Sequence, residues 1–502
     1  MNSSSVLIIL ILASSLVPAI WILFLKESNH RFRTAINLTG AMAKLGLVVA
    51  LIHGVLHGKL FVWRIRLLAD LHLAFEADAL SLLFVSLSTL LWLVTTVYAV
   101  GYLEQAPHRS RFFSFFSLCV FSSVGLALSS NLFTFLVFYE LLTLSTYPLV
   151  VHRGTRKSLR AGAIYLGYTL SGGMLLLVGV AWLRVLTGSV EFTAGGLLEP
   201  LLGEHRGELT IIFWLLVAGL GVKAAVVPLH GWLPKAMVAP APVSALLHAV
   251  AVVKAGAFGI LRVIYDVYGV TSIETLGLGL PMAILAAVTI IYGSVRALFQ
   301  DDLKKRLAYS TVSQVSYIIL GAAILGPVAA IGGLVHLVHQ GLLKITLFFC
   351  AGNFAERLHI HRISELNGVG RLMPLTSGAF TVGAFGMIGV PPTAGFVTKW
   401  FLGSGALAVG ADWVVGVLVV SSLLNAMYFL PILKRIWFLD LPSSHRIGHK
   451  GDNLKLHWML LVPPLLTAAL AIGVGLFSNA PFSPLNWCRL IVAREYGLQE
   501  LE

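Results

Sequence analysis

Apolar runs of about twenty residues recur along the whole of this chain, and a run of that length is what a helix needs to cross a bilayer. About fourteen can be placed, at 5–25, 34–57, 78–102, 112–128, 130–151, 159–185, 209–230, 242–265, 274–299, 306–324, 327–352, 374–403, 409–437 and 456–478. Little is left over for a soluble domain. The pattern predicts an all-α, polytopic membrane protein with one transmembrane domain over 1–502. Composition agrees: 58% of the 502 residues are hydrophobic and 11% are charged, against about 25% charged in soluble proteins.

The net charge of +13 has a topological explanation. Arg31 and Arg33, Arg153 to Arg160, Lys304 to Arg306, Arg357 and Arg362, and Lys434 to Lys455 all follow odd-numbered spans. The positive-inside rule then makes those loops cytoplasmic and puts both termini on the other side. No soluble module is present to bind nucleic acid, so none is expected as a partner. The first run has no basic region before it and reads as a retained span. Cys119, Cys350 and Cys488 are far apart and form no C-x-x-C pair. No metal site, phosphate loop or dinucleotide fingerprint is visible, so no cofactor is expected.

The basic residues read as lying within the spans are Lys44, Lys223, Lys254, Arg296, Lys344 and Lys399, with the others set at span ends or in loops. Arg296 is near a span end and can snorkel. Lys44 has no evident partner. A lysine deep in hydrocarbon costs about 3 kcal/mol on insertion scales and is expected to face a polar interior. Glu140, in NLFTFLVFYELLTLSTYPL, is the one acid deep in a span, and Lys223 is its candidate partner.

Two of these lysines sit beside interruptions. The span carrying Lys223 is broken by Pro228, Pro234, Pro240 and Pro242, and the one carrying Lys399 by Pro391 and Pro392. Broken helices at membrane depth are tolerated where the freed backbone lines a cavity or is buried in protein. The breaks fall in spans seven and twelve, five apart. An odd repeat inverts its topology, so spans 4–8 and 9–13 read as inverted five-helix repeats, with 1–110 as N-terminal helices, 111–265 and 270–437 as the repeats, and 438–502 as a last helix and short tail.

Between the breaks, His336, Gln340 and Lys344 recur at i, i+4 and i+8, with His339 one position off that stripe. Histidine titrates near neutrality and lysine does so when desolvated, so this is a polar seam suited to protons. His248 and Lys254 lie in the run after the first break. His230, beside Pro228, reads as a hydrogen-bond donor to freed carbonyls. Tyr139 and Tyr147 read as packing residues.

Six motifs together resemble one family. They are the segment around Glu140, GVKAAVVPLHGWLPKAM, APAPVSALLHAVAVVKAGAFGILR, DDLKKRLAYSTVSQVSYIILG, HLVHQGLLKITLFFCAGNFAER and PPTAGFVTKWFL. In order, over roughly residues 75 to 435, they resemble the antiporter-like subunits of respiratory complex I, Mrp-type cation/proton antiporters and membrane-bound hydrogenases. The resemblance implies a proton pathway across the midplane, with Glu140 and Lys223 as a gating pair and Lys254 and His248 continuing it. His336, His339 and Lys344 would be the central relay and Lys399 the terminal lysine. Separating Glu140 from Lys223 would favour release of the lysine proton.

It further implies a prokaryotic cytoplasmic membrane, other membrane subunits as partners, and H⁺ as the transported ion, with Na⁺ as the candidate exchanged ion. Lys399 matches the Mrp D type, while MVAPAPVSALLHAVAVVKAG is A-like. Lys235 stands where the family often has an acid, and the short tail lacks the long lateral helix of the largest complex I subunit. The alternative reading is a subunit of a redox-driven complex, holding no catalytic or redox centre itself. A conduction-dead scaffold and a carrier of a small organic substrate are weaker readings: the lysines argue against the first, and no substrate-recognising polar groups support the second.

Overall fold

The computed structural model describes residues 3–68, 71–103, 106–441 and 456–498. Arg446, Lys450 and Lys455 of the expected basic loop lie outside the described residues. The chain is a multi-pass helical membrane protein. Among the described residues twelve helices are long and apolar enough to cross a membrane. In chain order the helices are α1 (Ser3–Leu23), α2 (His30–Leu56), α3 (Ala79–Tyr102), α4 (Arg109–Ala127), α5 (Leu132–Val150), α6 (Arg156–Thr187) and α7 (Arg206–Ala224). They continue with α8 (Ala241–Ala249), α9 (Val252–Arg262), α10 (Val270–Thr275), α11 (Gly279–Leu298), α12 (Leu303–Ala323) and α13 (Pro327–Leu358). The last are α14 (Val369–Leu372), α15 (Pro374–Ile388), α16 (Ala394–Ala408), α17 (Trp413–Phe438), α18 (Trp458–Leu476) and α19 (Pro484–Glu495).

Two of the expected spans are not among those twelve. The run at 306–324 falls on α12, whose first turn carries Lys304, Lys305 and Arg306. The run at 374–403 falls on two 15-residue helices, α15 and α16, either side of Pro391 and Pro392. The run at 242–265 is kinked at Val250 and Ala251, between α8 and α9, with no proline there. Helix starts are set by side chains that cap free N–H groups. Asp78 accepts from the Ser81 N–H at 2.7 Å, Asn131 from that of Thr134 at 2.7 Å, and Asp302 from that of Lys305 at 2.9 Å.

The prolines divide in role. α7 stops at Ala224, with Ala225 in the left-handed region at φ 57°, and Pro228 follows in a non-helical stretch. Pro234 opens the 3₁₀ turn Lys235–Val238. Pro240 and Pro242 flank the start of α8, where a missing N–H costs nothing. They begin a helix rather than break one.

The bundle is built around α13. All 18 residues of its most apolar window are buried, and it packs on α3, α8, α12, α15, α16, α18 and α19. One order of neighbours occurs twice. α4 packs on α5, α5 on α6 and α6 on α7; α11 packs on α12, α12 on α13 and α13 on α16.

Two elements had no counterpart in the reading of apolar runs. An antiparallel hairpin pairs β1 (Val62–Leu68) with β2 (Leu71–Glu76). The amphipathic α19 returns over α3 and α13, with Trp487 Nε1 donating to the Ala79 carbonyl at 2.8 Å. Where α3 begins and α9 ends, Arg262 forks between Asp78 and Asp266 at 2.5 and 2.9 Å. Arg494 of α19 reaches Asp78 at 3.5 Å.

Candidate functional site

Lys223 occupies the last turn of α7 and is fully buried. Its ammonium donates to the backbone carbonyl of Tyr139 on α5 and lies 3.3 Å from the centroid of the Tyr139 ring. The Tyr139 hydroxyl donates to the Gly219 carbonyl at 2.8 Å, which ties α5 to α7 one turn before the lysine. Tyr139 is therefore the holder of Lys223 and not a packing residue alone. Glu140 is next in sequence and turns towards α6. It fits because residue 173 is glycine: a Cβ there would stand 1.9 Å from Glu140 Oε1. The charges of Glu140 and Lys223 act on each other through space. Among the described residues no ion pair joins them, and Glu140 Oε1 has no hydrogen-bond partner.

The next lysine meets α13. Lys254, in the first turn of α9, donates to the Leu337 carbonyl at 2.8 Å, between His336 and His339. Both histidines place Nδ1 against one hydroxyl, that of Thr398 on α16, at 3.2 and 2.9 Å. His336 also lies beside the Tyr317 ring, with centroids 5.2 Å apart. His248, at the end of α8, stacks on Phe348 of α13 at 4.6 Å, and neither of its ring nitrogens has a partner. The Nε2 atoms of His336 and His339, both polar atoms of Gln340 and Gln314 Nε2 are buried and likewise unpartnered. Buried polar atoms are seldom left so in native proteins, and ordered water is their usual partner.

Lys344 donates to Ser310 Oγ at 2.7 Å and to the Leu307 carbonyl at 3.2 Å. Ser310 and the Tyr428 hydroxyl are 2.8 Å apart. Tyr428 donates to Asn425 Oδ1 at 2.6 Å, and the Asn425 amide donates to the Met387 carbonyl at the end of α15. This network joins the central lysine to the second break. At that break Lys399 donates to the Ile388 carbonyl at 2.6 Å and to Ser422 Oγ at 2.7 Å, with the Tyr317 ring 5.9 Å away. The arrangement parallels the first break, where a lysine rests on a carbonyl beside a tyrosine of the neighbouring helix.

Seven expected residues are thus distributed from α5 to α16 through α13: Glu140, Lys223, Lys254, His336, His339, Lys344 and Lys399. His248 joins by packing alone. His230 stands apart, its Nδ1 unpartnered and its ring 5.0 Å from that of Tyr292. Lys44 has a partner after all, Ser15 Oγ at 2.7 Å, under the Trp92 ring at 5.0 Å. Lys235 is exposed. Tyr139, Thr398, Ser310, Tyr317 and Asn425 were missed as site residues. Thr398 is adjacent to Lys399 and was open to suspicion on that ground. Among the described residues no cluster of three metal-ligating side chains occurs.

Lysines held on carbonyls at two helix breaks, bridged by a buried histidine-bearing helix, define a membrane protein whose titratable groups are gathered inside the bundle. The chain belongs to the NADH:quinone oxidoreductase/Mrp antiporter transmembrane family, which matches residues 129–425. Residues 67–113 match the N-terminus of chain 5 of NADH-ubiquinone oxidoreductase, complex I. The chain is 37% identical over 403 residues to NADH-quinone oxidoreductase subunit N of Desulforudis audaxviator, covering 77% of this chain and 78% of that one. It is 30% identical over 435 residues to hydrogenase-4 component B of Escherichia coli, covering 82% of this chain and 63% of the other. A protein carrying the name antiporter subunit mnhA2, from Staphylococcus haemolyticus, is 31% identical over 473 residues, covering 88% of this chain and 58% of its own length.

The fold matches a chain of the Mrp complex from Dietzia sp. DQ12-45-1b, with TM-score 0.84, 23% identity, and 99% and 98% of the two chains covered. It matches the membrane-bound sulfane sulfur reductase, an archaeal respiratory membrane complex, with the same TM-score, 22% identity and the same coverage. Both are multisubunit membrane assemblies. The family model and the sequence relatives establish the superfamily, and these two structures share its fold.

Proposed function

We propose that this chain is a proton-translocating, antiporter-like subunit of a multisubunit complex in a prokaryotic cytoplasmic membrane. It moves H⁺ along Glu140, Lys223, Lys254, His336, His339, Lys344 and Lys399, in exchange for Na⁺. The two similar sets of helix neighbours support inverted repeats, and the basic loops support termini on the non-cytoplasmic side.

One observation carries the reading. The lysines rest on backbone carbonyls and hydroxyls instead of carboxylates, and unpartnered histidine and glutamine atoms lie between them. A lysine locked to an acid would be a fixed charge. A lysine on a carbonyl is free to lose and regain its proton as neighbouring charges change. Glu140 is the neighbour placed to impose that change: it is close enough to act on Lys223 and not bonded to it. Its approach favours the ammonium, and its withdrawal towards Gly173 favours release.

The test is proton flux in membrane vesicles holding the assembled complex. Lys223→Ala and Glu140→Ala should each lower it by at least about tenfold, the low end for a positioned acid–base group. Unchanged flux and unchanged Na⁺ tolerance would sink the mechanism. A second reading places the same pathway in a redox-driven complex, supported by the 37% relative, a subunit of NADH-quinone oxidoreductase. Co-purification with redox subunits would favour it; co-purification with small hydrophobic antiporter subunits would favour cation exchange.

A further inference from the structure

The charges gathered where α3 begins and α9 ends, all of them largely buried except the exposed Arg494, do not balance. Asp78, Asp266 and Glu495 supply three carboxyl groups, and Arg262 and Arg494 supply two guanidinium groups. Their side chains touch in one cluster. Arg262 is 2.5 Å from Asp78 and 2.9 Å from Asp266; Arg494 is 3.5 Å from Asp78 and 3.8 Å from Glu495. The side chains of Asp266 and Glu495 are each only 1% exposed. With every group ionised the cluster carries one uncompensated negative charge. Burying such a charge is costly, and a guanidinium does not give up its proton to correct the count. One further positive charge restores the balance.

The contacts single out the acid that takes it. Asp78 receives both arms of Arg262 and the Ser81 N–H at the start of α3. Burial works against its ionised form, but Arg262 and that N–H outweigh burial and hold Asp78 well below the usual carboxylate range. Asp266 shares Arg262, four residues earlier on the same chain. Among the described residues Glu495 has only the long contact to Arg494, and its Oε2 is buried without a hydrogen-bond partner. Burial, with the charge of Asp266 added, pushes the Glu495 carboxyl up to about 7.

The groups facing Glu495 are Asp78 from α3, Arg262, Tyr265 and Asp266 from α9 and its continuation, and Arg494 from its own helix; Tyr496 and Cys488 act on Tyr265. α13 packs on α19, and its Val338 and Leu342 line one cavity with Pro484 and Trp487.

The geometry points to a one-proton site in which Glu495, set against Asp266, binds and releases a single H⁺ at the membrane face opposite the basic loops. Arg494 and Glu495 lie outside the two family-matched segments, 67–113 and 129–425, while Asp78, Arg262 and Asp266 lie within them. Asp266 sits in a π-helical stretch, Val263–Tyr268, that continues α9; such widened turns collect at functional sites. Lys254 is eight residues before Arg262 on the same helix, about 12 Å along its axis. Glu495 is therefore placed as a proton-binding station on a branch from Lys254 to that face. That placement rests on the proton-pathway reading above; the existence of the site does not.

Infrared difference spectroscopy of the assembled complex, titrated in its membrane, tests the site without reference to transport. The wild type should show a protonated-carboxyl band that disappears as pH rises through about 7, and Glu495→Gln should remove it. Asp266→Asn removes the excess negative charge, so the band should disappear about 1–3 pH units lower; Arg494→Gln should move it upward by a similar amount. Both acid-to-amide changes preserve shape. A band that persists in Glu495→Gln, or does not move in Asp266→Asn, overturns the proposal. So does its absence from the wild type, the result expected if Na⁺ balances the charge. The place on the pathway is read separately, from the dependence of flux on pH at that face. Glu495→Gln should flatten it, and an unaltered profile removes Glu495 from the path. Lys223→Ala reports on the pathway and the infrared band on Glu495, so each reading can fail without the other.

Discussion

At the scale of the residue, Tyr139 does more to hold Lys223 than Glu140 does. It offers the lysine a carbonyl and a ring face, and a desolvated cation–ring contact is worth about 2 kcal/mol. Tyr139→Leu should therefore lower proton flux by about tenfold or more. Tyr139→Phe keeps the ring and loses only the hydroxyl bond to Gly219, about 1 kcal/mol of stability, and should leave most of the flux; equal loss in both would refute the ring's role. Gly173→Ala should push the Glu140 carboxylate from its seat and reduce flux in a chain that still inserts and assembles. The charged residues were legible because a lysine or glutamate inside an apolar run is anomalous. Tyr139 and Thr398 were not, because tyrosine and threonine are ordinary in spans. A lysine resting on a backbone carbonyl leaves no mark in the sequence at all.

At the scale of the element, both breaks end a helix where the chain turns left-handed, at Ala225 and at Gly389 (φ 57° and 93°). The glycine also gives Lys399 its room, since a Cβ there would stand 2.8 Å from the lysine Cδ. Gly389→Ala should cost about 1–2 kcal/mol of backbone strain, seen as a lower melting temperature of the purified complex, and should also disturb Lys399. Pro391 and Pro392 marked this break plainly in the sequence. The kink at Val250 and Ala251 carries no proline, so spacing arguments ran straight through it. Pro242 misled in the opposite sense, because a proline in the first turn starts a helix as readily as one further in ends it. The hairpin leaves no such signal, because VWRIRLL is too short and too charged to read as an apolar run.

At the scale of the molecule, the Arg262 cluster fastens α3, α9 and α19 together. Arg262→Ala leaves buried carboxylates uncompensated and should destabilise the fold by about 3–5 kcal/mol, measured by thermal denaturation in detergent. The cluster's pH dependence has two signs. Asp78 is depressed in the folded chain, so its contribution is present above the unfolded carboxylate range and lost as pH falls through its folded value. Glu495 is raised, so its contribution is full below the unfolded range and lost as pH rises through about 7. Docking of α19 should therefore be weaker at pH 9 than at pH 6. Limited proteolysis of the C-terminal segment would show it, and equal protection at both would count against the charge argument. The path of the bundle was readable from apolar periodicity. The fastening was not, because Arg494 and Glu495 side by side near a chain end look like a solvated tail.

The Thr398 hydroxyl limits which tautomers the two central histidines can adopt. It owns a single hydrogen, and two imidazole Nδ1 atoms lie against it. It cannot donate to both, so at least one ring must present N–H at that position. When neutral, that ring is the Nδ1–H tautomer, and its Nε2 is a bare lone pair facing the seam. One threonine thus keeps a proton acceptor open at the centre of the protein whenever the pair is uncharged.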